Sequence, residues 1–159
     1  MTPVLRAAYG AAVLFAAAAP LAADDHAAKL GDLTLSDAWA RAAMREGGAS
    51  AAYLTVETRG EADRLVAAAS SAAARVELHE HILEDGVAKM REVAAGVPVE
   101  PGAPAVLEPG GYHVMLMGLS APLAEGDAID LTLTFETSGE ITLTVPVRAM
   151  AAGHGGHGG

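Results

Sequence analysis

The chain has 159 residues, a formal net charge of -10 and no cysteine. This length fits one domain of ordinary size. The acidity argues against nucleic acid and against an anionic membrane surface as partners, since both are recognised through basic patches. The absence of cysteine excludes disulfides, thiolate nucleophiles, cysteine-ligated zinc, iron–sulfur clusters and blue-copper centres. Any metal would therefore have to be bound by His, Met, carboxylate or backbone groups.

The N-terminal segment has the layout of a secretory signal peptide. Arg6 gives it a positive start, an apolar run covers residues 7–19, and Pro20 precedes small residues. The apolar run is shorter than the roughly 20 residues that a membrane-spanning helix needs. We therefore expect residues 1–23 to be removed, with cleavage after Ala22 or Ala23, so that the exported chain has no membrane span.

The exported chain is predicted to be all-β, with a β-domain over residues 24–149 and a flexible Gly/His tail over residues 150–159. Helix is expected to be scarce, because residues 36–44 could form only a turn or two and the Ala-rich residues 67–74 have no sustained apolar stripe. Pro and Gly predict loops between residues 98 and 111. Period-two alternation or turn placement predicts strands over residues 52–57, 75–81, 87–93, 113–117, 131–136 and 141–145. Short strands joined by Gly/Pro turns are typical of a β-sandwich or small barrel.

Two of these strands gather His and Met side chains on one face. His79 and His81 share a face of the first strand, and His113, Met115 and Met117 share a face of the second. If the intervening Val and Leu residues face the core, these His and Met side chains point outward or into a cleft. A single surface His needs no special function, whereas several His and Met residues on two such faces favour a metal site.

Met90 adds a further sulfur donor. It lies just beyond the Asp85-Gly86 turn, and a hairpin of this length is expected to bring it back near His79. A single Met is most simply explained by core packing. Thioether sulfur is soft and favours Cu(I), and imidazole suits copper in both oxidation states. The combined set therefore points to copper, in a site from which a carrier could release its ion.

The spacing of these residues resembles a known motif. His79, Met90, His113 and Met115 form the pattern H-x10-M-x22-H-x-M, which is similar to the copper-binding signature of the periplasmic PCuAC-type copper chaperones. The similarity extends over about residues 30–148. The segments that look like this family are residues 38–41, 51–53, 76–80, 85–91, 109–119 and 123–127.

The resemblance implies a cupredoxin-like Greek-key β-sandwich or barrel in which His79, Met90, His113 and Met115 bind Cu(I). It also implies a periplasmic protein that is not an enzyme. The implied acceptor is the dinuclear copper site in subunit II of cytochrome c oxidase, with a thioredoxin-fold copper chaperone as a further partner. Met117 and His81 fall outside the motif and are accessory candidates, expected to line the site or to lie on the surface.

Both ends of the exported chain carry His residues that suit Cu(II). In the tail, His154 and His157 alternate with Gly, and imidazole with peptide nitrogens suits the square-planar preference of Cu(II). Cleavage after Ala23 would place His26 third in the chain, where the amine, two amides and the imidazole can surround Cu(II). Cleavage after Ala22 would shift His26 to fourth place and remove that geometry. A spacer tail and an incidental N-terminal His are the simpler alternatives.

Two other functions stay open. The chain could be a periplasmic copper storage or uptake protein, or an exported β-sandwich interaction domain that binds no metal. An enzyme is disfavoured, because the sequence contains no nucleophile elbow and no H-E-x-x-H helix.

Overall fold

The computed structural model of the protein describes residues 27–150, which form eleven β-strands and, within this range, no helix. The predicted signal peptide, His26, His154 and His157 lie outside the described residues. Between residues 27 and 150 there is no helix of the length and hydropathy that a membrane crossing requires.

The strands form two sheets. In chain order, the first sheet contains β1 (Ala28–Leu30), β2 (Leu33–Arg41), β3 (Ala49–Thr58), β5 (Ala73–Glu84), β6 (Val87–Glu92), β8 (Ala105–Leu107) and β9 (Tyr112–Leu119). The second sheet contains β4 (Asp63–Ala69), β7 (Val97–Val99), β10 (Ala128–Phe135) and β11 (Gly139–Arg148).

The pairing of the strands closes the two sheets around one core. Across the first sheet the order is β6-β5-β9-β3-β2-β1, with β8 lying beside both β3 and β9. Across the second sheet the order is β11-β10-β4-β7. The sheets join where β11 pairs in parallel with β2, at Val147 opposite Ala40 and Arg148 opposite Arg41. This arrangement confirms the predicted all-β sandwich.

The core is built from alternate residues of the strands in both sheets. In β9, Val114 and Leu116 are fully buried, and in β10 the same is true of Leu131 and Leu133. Burial of an aliphatic side chain of this size stabilises the fold by about 1.5–3 kcal/mol relative to exposure. Because each inward residue is followed by one pointing away, β5 and β9 also present a second set of side chains on their outer face.

A bulge in β2 changes which residues face outward. Leu33 and Leu35 are buried, but Asp37 has a left-handed φ of 53°, and the register with β3 shifts by one residue between Ser36 and Trp39. Beyond the shift the pattern inverts. Ala40 is now fully buried and Trp39 lies on the outer face.

The strands predicted from alternation are confirmed, as is the Asp85-Gly86 turn. Both of its residues have positive φ, 53° and 76°, as a two-residue type I′ hairpin turn requires. The short helical turns considered over residues 36–44 and 67–74 are wrong, because residues up to Arg41 continue β2 and the Ala-rich segment contributes to β4 and β5. Residues 98–111 are not all loop either. They contribute to β7 and β8, and Pro98 is tolerated because β7 is an edge strand paired only with β4.

Candidate metal centre

The two imidazoles of the predicted site face each other across neighbouring strands. Strands β5 and β9 are antiparallel, with His79 directly opposite His113. Their ring centroids are 5.9 Å apart and the ring planes are tilted by 59°. Leu78 and Val114, the neighbours of these two residues, are buried in the core. The alternation expected from the sequence therefore places both imidazoles on the outer face of the first sheet.

The thioethers approach this pair from two sides of the same face. Met115 is two residues beyond His113 on β9 and lies opposite Glu77 of β5. Met90 lies on β6, on the far side of β5. Its cross-strand partner is His81, because the tight turn sets a register in which Glu92 is opposite His79. The sequence predicted only that Met90 returns near His79, and the register places it two residues from the position opposite His79. The four motif residues thus share one face of three adjacent strands.

Exposure rises across the face from β9 to β6. His113 is only 2% exposed, the side chain of His79 is 14% exposed, and Met90 is 46% exposed. His113 therefore does not point freely outward, contrary to one reading of its strand pattern. The ring of His81 covers it, with centroids 4.9 Å apart and planes only 29° from parallel. His81 is more central to the face than its place outside the motif indicated.

Hydrogen bonding fixes the tautomer of His113. Its Nδ1 lies 3.1 Å from the carbonyl oxygen of Gly111. Because a carbonyl only accepts, Nδ1 carries the proton, and in the neutral ring Nε2 carries the lone pair. This is the arrangement that a metal-binding imidazole usually has, with one nitrogen anchored and the other turned to the ion.

The environment of His113 also favours the neutral ring. Burial lowers the pKa of His113 below its usual value, while the hydrogen bond to Gly111 opposes this shift. The charges of His81, His79 and Arg41 lower the pKa further. Since a protonated imidazole cannot bind a metal, the lowered pKa keeps His113 available as a ligand in weakly acidic solution.

His79 has the complementary arrangement. Its Nε2 lies 2.9 Å from a carboxylate oxygen of Glu77, which accepts the Nε2 proton. Its Nδ1 is buried and has no hydrogen-bond partner among the described residues. A buried nitrogen without a partner is unfavourable unless something else binds it. The structure thus leaves a lone pair on Nδ1 of His79, held in place by a carboxylate as in carboxylate–histidine–metal sites.

Met117 is engaged differently from Met115. Its Sδ accepts a hydrogen bond of 3.3 Å from the guanidinium of Arg75, and Arg75 also forms an ion pair of 3.0 Å with Glu77. A sulfur that receives a cationic donor is a poorer ligand for a metal cation. Met117 is therefore a poorer candidate ligand than Met115.

Three residues near the site had no role assigned from the sequence. The rings of Trp39 on β2 and Tyr53 on β3 pack together with centroids 4.7 Å apart, and β3 is the strand next to β9. Burial raises the pKa of Tyr53, and the charge of Arg41 opposes that shift. Arg41 also acts on His113. The bulge at Asp37 brings Trp39 to this face, and alternation counts cannot locate such a bulge.

The donor set restricts the chemistry of the site. Among residues 27–150, no group of three or more His, Asp or Glu side chains is arranged to hold a metal ion. The donors that this face does present are the imidazoles of His79, His81 and His113 and the thioethers of Met90, Met115 and Met117. Such a mixed soft set suits Cu(I) and is unsuited to Ca²⁺ or Mg²⁺, which need oxygen ligands.

Comparison with known proteins gives one matching family and several related chains. Residues 33–147 match the LpqE-like family, described as "Putative lipoprotein LpqE-like". The chain is 36% identical over 153 residues to "Putative lipoprotein Lxx21020" of Leifsonia xyli subsp. xyli (strain CTCB07), covering 92% of this chain and 91% of that protein.

Two solved structures extend the comparison. The copper-bound PCuAC domain from PmoF2 is 26% identical, with a TM-score of 0.64 over 78% of this chain and 98% of that domain. The solution structure of Cu(I)-DR1885 from Deinococcus radiodurans is also 26% identical, with a TM-score of 0.54 over 72% of this chain and 78% of that one. These matches confirm the cupredoxin-like sandwich and the resemblance to PCuAC domains.

Proposed function

The chain belongs to the LpqE-like family, and from this premise and the site geometry we propose that it is a copper chaperone that binds Cu(I). His79, His113, Met90 and Met115 are the proposed ligands. The observation that supports this most directly is the pair of opposed imidazoles, each with one nitrogen anchored and the other left with a lone pair. The copper-bound state of the PmoF2 domain and the Cu(I) state of DR1885 support the choice of metal.

The geometry favours a carrier over a permanent copper site. The proposed ligands include neutral thioethers, and Met90 lies half-exposed on an edge strand that is exposed along its whole length. An incoming ligand could approach the ion from the exposed side at Met90 while the more buried His79 and His113 still hold it. Copper would then pass to an acceptor without being released into solution.

The test is a competition titration of Cu(I) between the exported chain and a chromophoric chelator, under anaerobic conditions. We expect one Cu(I) per chain, with no visible absorption from the protein complex. The His79→Ala/His113→Ala double variant should lose this binding. If the double variant kept wild-type affinity, the proposed site would be wrong.

For the acceptor, we propose the dinuclear copper site of cytochrome c oxidase subunit II, with a thioredoxin-fold copper chaperone as a second partner. The support is the resemblance to PCuAC-type chaperones. Mixing the Cu(I)-loaded chain with the apo copper domain of subunit II, with and without the thioredoxin-fold protein, tests this directly. Appearance of the dinuclear copper absorption would support delivery, and retention of all copper on the chain would favour the storage alternative.

We also propose that the protein acts in the periplasm. The signal-peptide layout of residues 1–23 and the word lipoprotein in the names of the family and of the Leifsonia relative support export. None of the 159 residues is a cysteine, so none of them can carry a lipid through a thioether. Mass spectrometry of the protein recovered from the periplasm would show the mature N-terminus, and a chain beginning at Ala23 would exclude a Cu(II) site at His26.

His154 and His157 of the tail are proposed to bind Cu(II) separately from the site on the sheet. Support comes from their Gly-rich sequence, since deprotonated amides and imidazole suit Cu(II). Cu(II) stoichiometry should fall when the chain is cut after Ala149, while Cu(I) stoichiometry should stay the same. If the whole chain and the chain cut after Ala149 bound equal amounts of Cu(II), the tail would be a spacer without a metal site.

A further inference from the structure

His81 occupies a defined position that the proposed ligand set does not use. It lies directly opposite Met90 in the β5–β6 pair and stacks on His113 of β9. Its backbone N–H donates to the Gly111 carbonyl, 3.2 Å away, which is the same oxygen that accepts the proton of His113 Nδ1. This shared oxygen holds the backbone of His81 beside the buried imidazole of His113, while His81 itself is exposed to solvent.

The stacking geometry argues against His81 as a ligand of the same ion as His113. The two ring planes are only 29° from parallel, and the centroids are 4.9 Å apart. The lone pairs of imidazole lie in the plane of its ring. An ion in line with the lone pair of His113 therefore lies out of line with those of His81.

The four side chains differ in their distance from solvent. His81 and Met90 are opposite each other at the exposed side of the face, whereas His79 and His113 are mostly covered. An ion that arrives from solvent meets an imidazole and a thioether before it reaches the buried imidazoles. Both outer residues can donate an electron pair to Cu(I).

We propose that His81 and Met90 form a transfer site, through which Cu(I) enters and leaves the pair of buried imidazoles. This inference rests on the proposed function. In the inward step, a Cu–N bond to His81 and a Cu–S bond to Met90 form as the bonds to the donor molecule break. The bond to His81 is then replaced by bonds to His79, His113 and Met115, while Met90 keeps its bond. Copper stays Cu(I), and no electron or proton has to move if the imidazoles are neutral.

A transfer ligand has a kinetic signature that differs from that of a ligand in the final site. Its loss slows capture and release by the same factor, so the dissociation constant does not change. Loss of a ligand from the final site weakens the equilibrium affinity. If His81 only covers His113, another flat ring in its place preserves that role, and neither the rates nor the dissociation constant should change. Replacement by Phe therefore separates these roles, because Phe keeps a ring for stacking and removes both nitrogens.

The experiment measures Cu(I) capture from a chromophoric chelator, and release to it, by anaerobic stopped-flow absorbance on the whole exported chain. The variants are His81→Phe and, as a matched control, Leu83→Ala, which changes an exposed residue of the same face without removing a donor. We expect His81→Phe to slow both rates by about tenfold, equivalent to about 1.4 kcal/mol in each barrier, with the dissociation constant within about twofold of wild type. Leu83→Ala should match wild type.

Two results would overturn the inference. If His81→Phe captured and released Cu(I) at wild-type rates, His81 would only cover His113 and would not act as a transfer ligand. A dissociation constant weakened as much as in His113→Ala would make His81 a ligand of the final site. A wild-type chain that captured no Cu(I) would instead refute the proposed function. Thermal unfolding of each variant confirms the fold, which an exposed position on β5 is expected to keep.

Discussion

His79 and His113 are direct cross-strand partners in the antiparallel pair β5–β9, with ring centroids 5.9 Å apart. The strand register alone therefore sets the spacing of the two imidazoles. A slip of one residue in β5 would turn His79 into the core and bring Leu78 to the surface. Burial of Leu78, Val114 and Leu116 opposes such a slip, so the hydrophobic core also holds the candidate ligands in place.

Replacement of either proposed thioether ligand should weaken Cu(I) binding. Met115→Leu and Met90→Leu keep side-chain volume and remove the sulfur, and we expect each to raise the dissociation constant at least about tenfold. Met117→Leu is the matched control, because its sulfur is engaged by Arg75 and it should stay near wild type. Competition titration with a chromophoric chelator measures all three. Unchanged affinity in both ligand variants would rule out thioether coordination.

Glu77→Gln should weaken Cu(I) binding without unfolding the protein. The Glu77 carboxylate accepts the Nε2 proton of His79 and thereby keeps the lone pair on Nδ1. Loss of such a supporting carboxylate typically costs about 10–100-fold in metal affinity. In the apo form of Glu77→Gln, the ¹⁵N chemical shifts of the His79 ring nitrogens should change relative to wild type. These shifts report the tautomer directly. Wild-type affinity together with a changed tautomer would contradict this role.

The lowered pKa of His113 predicts two pH effects. In the folded apo protein, NMR titration should show His113 taking up its proton below the usual imidazole pKa of about 6.5. The unfolded chain binds this proton more readily, so the contribution of His113 to stability is complete above about pH 6.5 and is lost as the pH falls through the folded-state pKa. In His113→Gln, this part of the pH dependence of unfolding should disappear. A pKa of His113 at or above the usual value would show that burial does not control its charge.

The hydrogen bonds of the Asp63 carboxylate, on a different part of the sandwich from the candidate site, should be sensitive to acid. Its carboxylate accepts the backbone N–H groups of Thr137 and Ser138, both at 2.9 Å, and so ties β4 to the β10–β11 turn. Burial raises the pKa of Asp63, but hydrogen bonds from Ser138, Thr137 and Arg64 outweigh it, and the pKa lies below its usual value. The stability from this carboxylate is present above about pH 3.9 and is lost as the pH falls through the folded-state pKa.

Asp63→Asn should therefore lower the free energy of unfolding at neutral pH by about 1–3 kcal/mol. Urea unfolding of both proteins, from neutral to acidic pH, measures the difference, which should shrink towards pH 3. Cu(I) affinity should not change, since none of the proposed ligands contacts this carboxylate. A constant difference at every pH would mean that the effect of the substitution does not come from the charge.

Copper should protect β6 from hydrogen exchange. All six residues of β6 are exposed, and ion pairs from Lys89 to Glu84 and from Arg91 to Glu80 join it to β5. Exposed ion pairs of this kind contribute at most about 1 kcal/mol each, so β6 should open more readily than β9. Cu(I) bound through Met90 should slow exchange in β6 by mass action. Equal exchange in the apo and Cu(I) forms would place Met90 outside the coordination sphere.

The sequence determined the parts of this protein that depend on local pattern. Alternation in β5 and β9 predicted correctly that His79 and His113 share the face opposite the core, and the Asp85-Gly86 turn identified the hairpin that carries Met90. The spacing of the motif identified the family resemblance. These predictions succeed because a strand has a strict period of two and a type I′ turn needs residues that tolerate positive φ.

Only the tertiary structure decided what those residues face and how far each is buried. The register of β6 placed Met90 opposite His81, the stacked ring of His81 covered His113, and Glu77 selected the nitrogen of His79 that keeps a lone pair. The bulge at Asp37 brought Trp39 to the same side. Cross-strand register and bulges depend on how whole sheets pack, because packing energy is summed over many residues distant in sequence. The pattern of residues thus places several His and Met side chains on one face, and packing of the sheets decides which of them are buried and which are exposed to solvent.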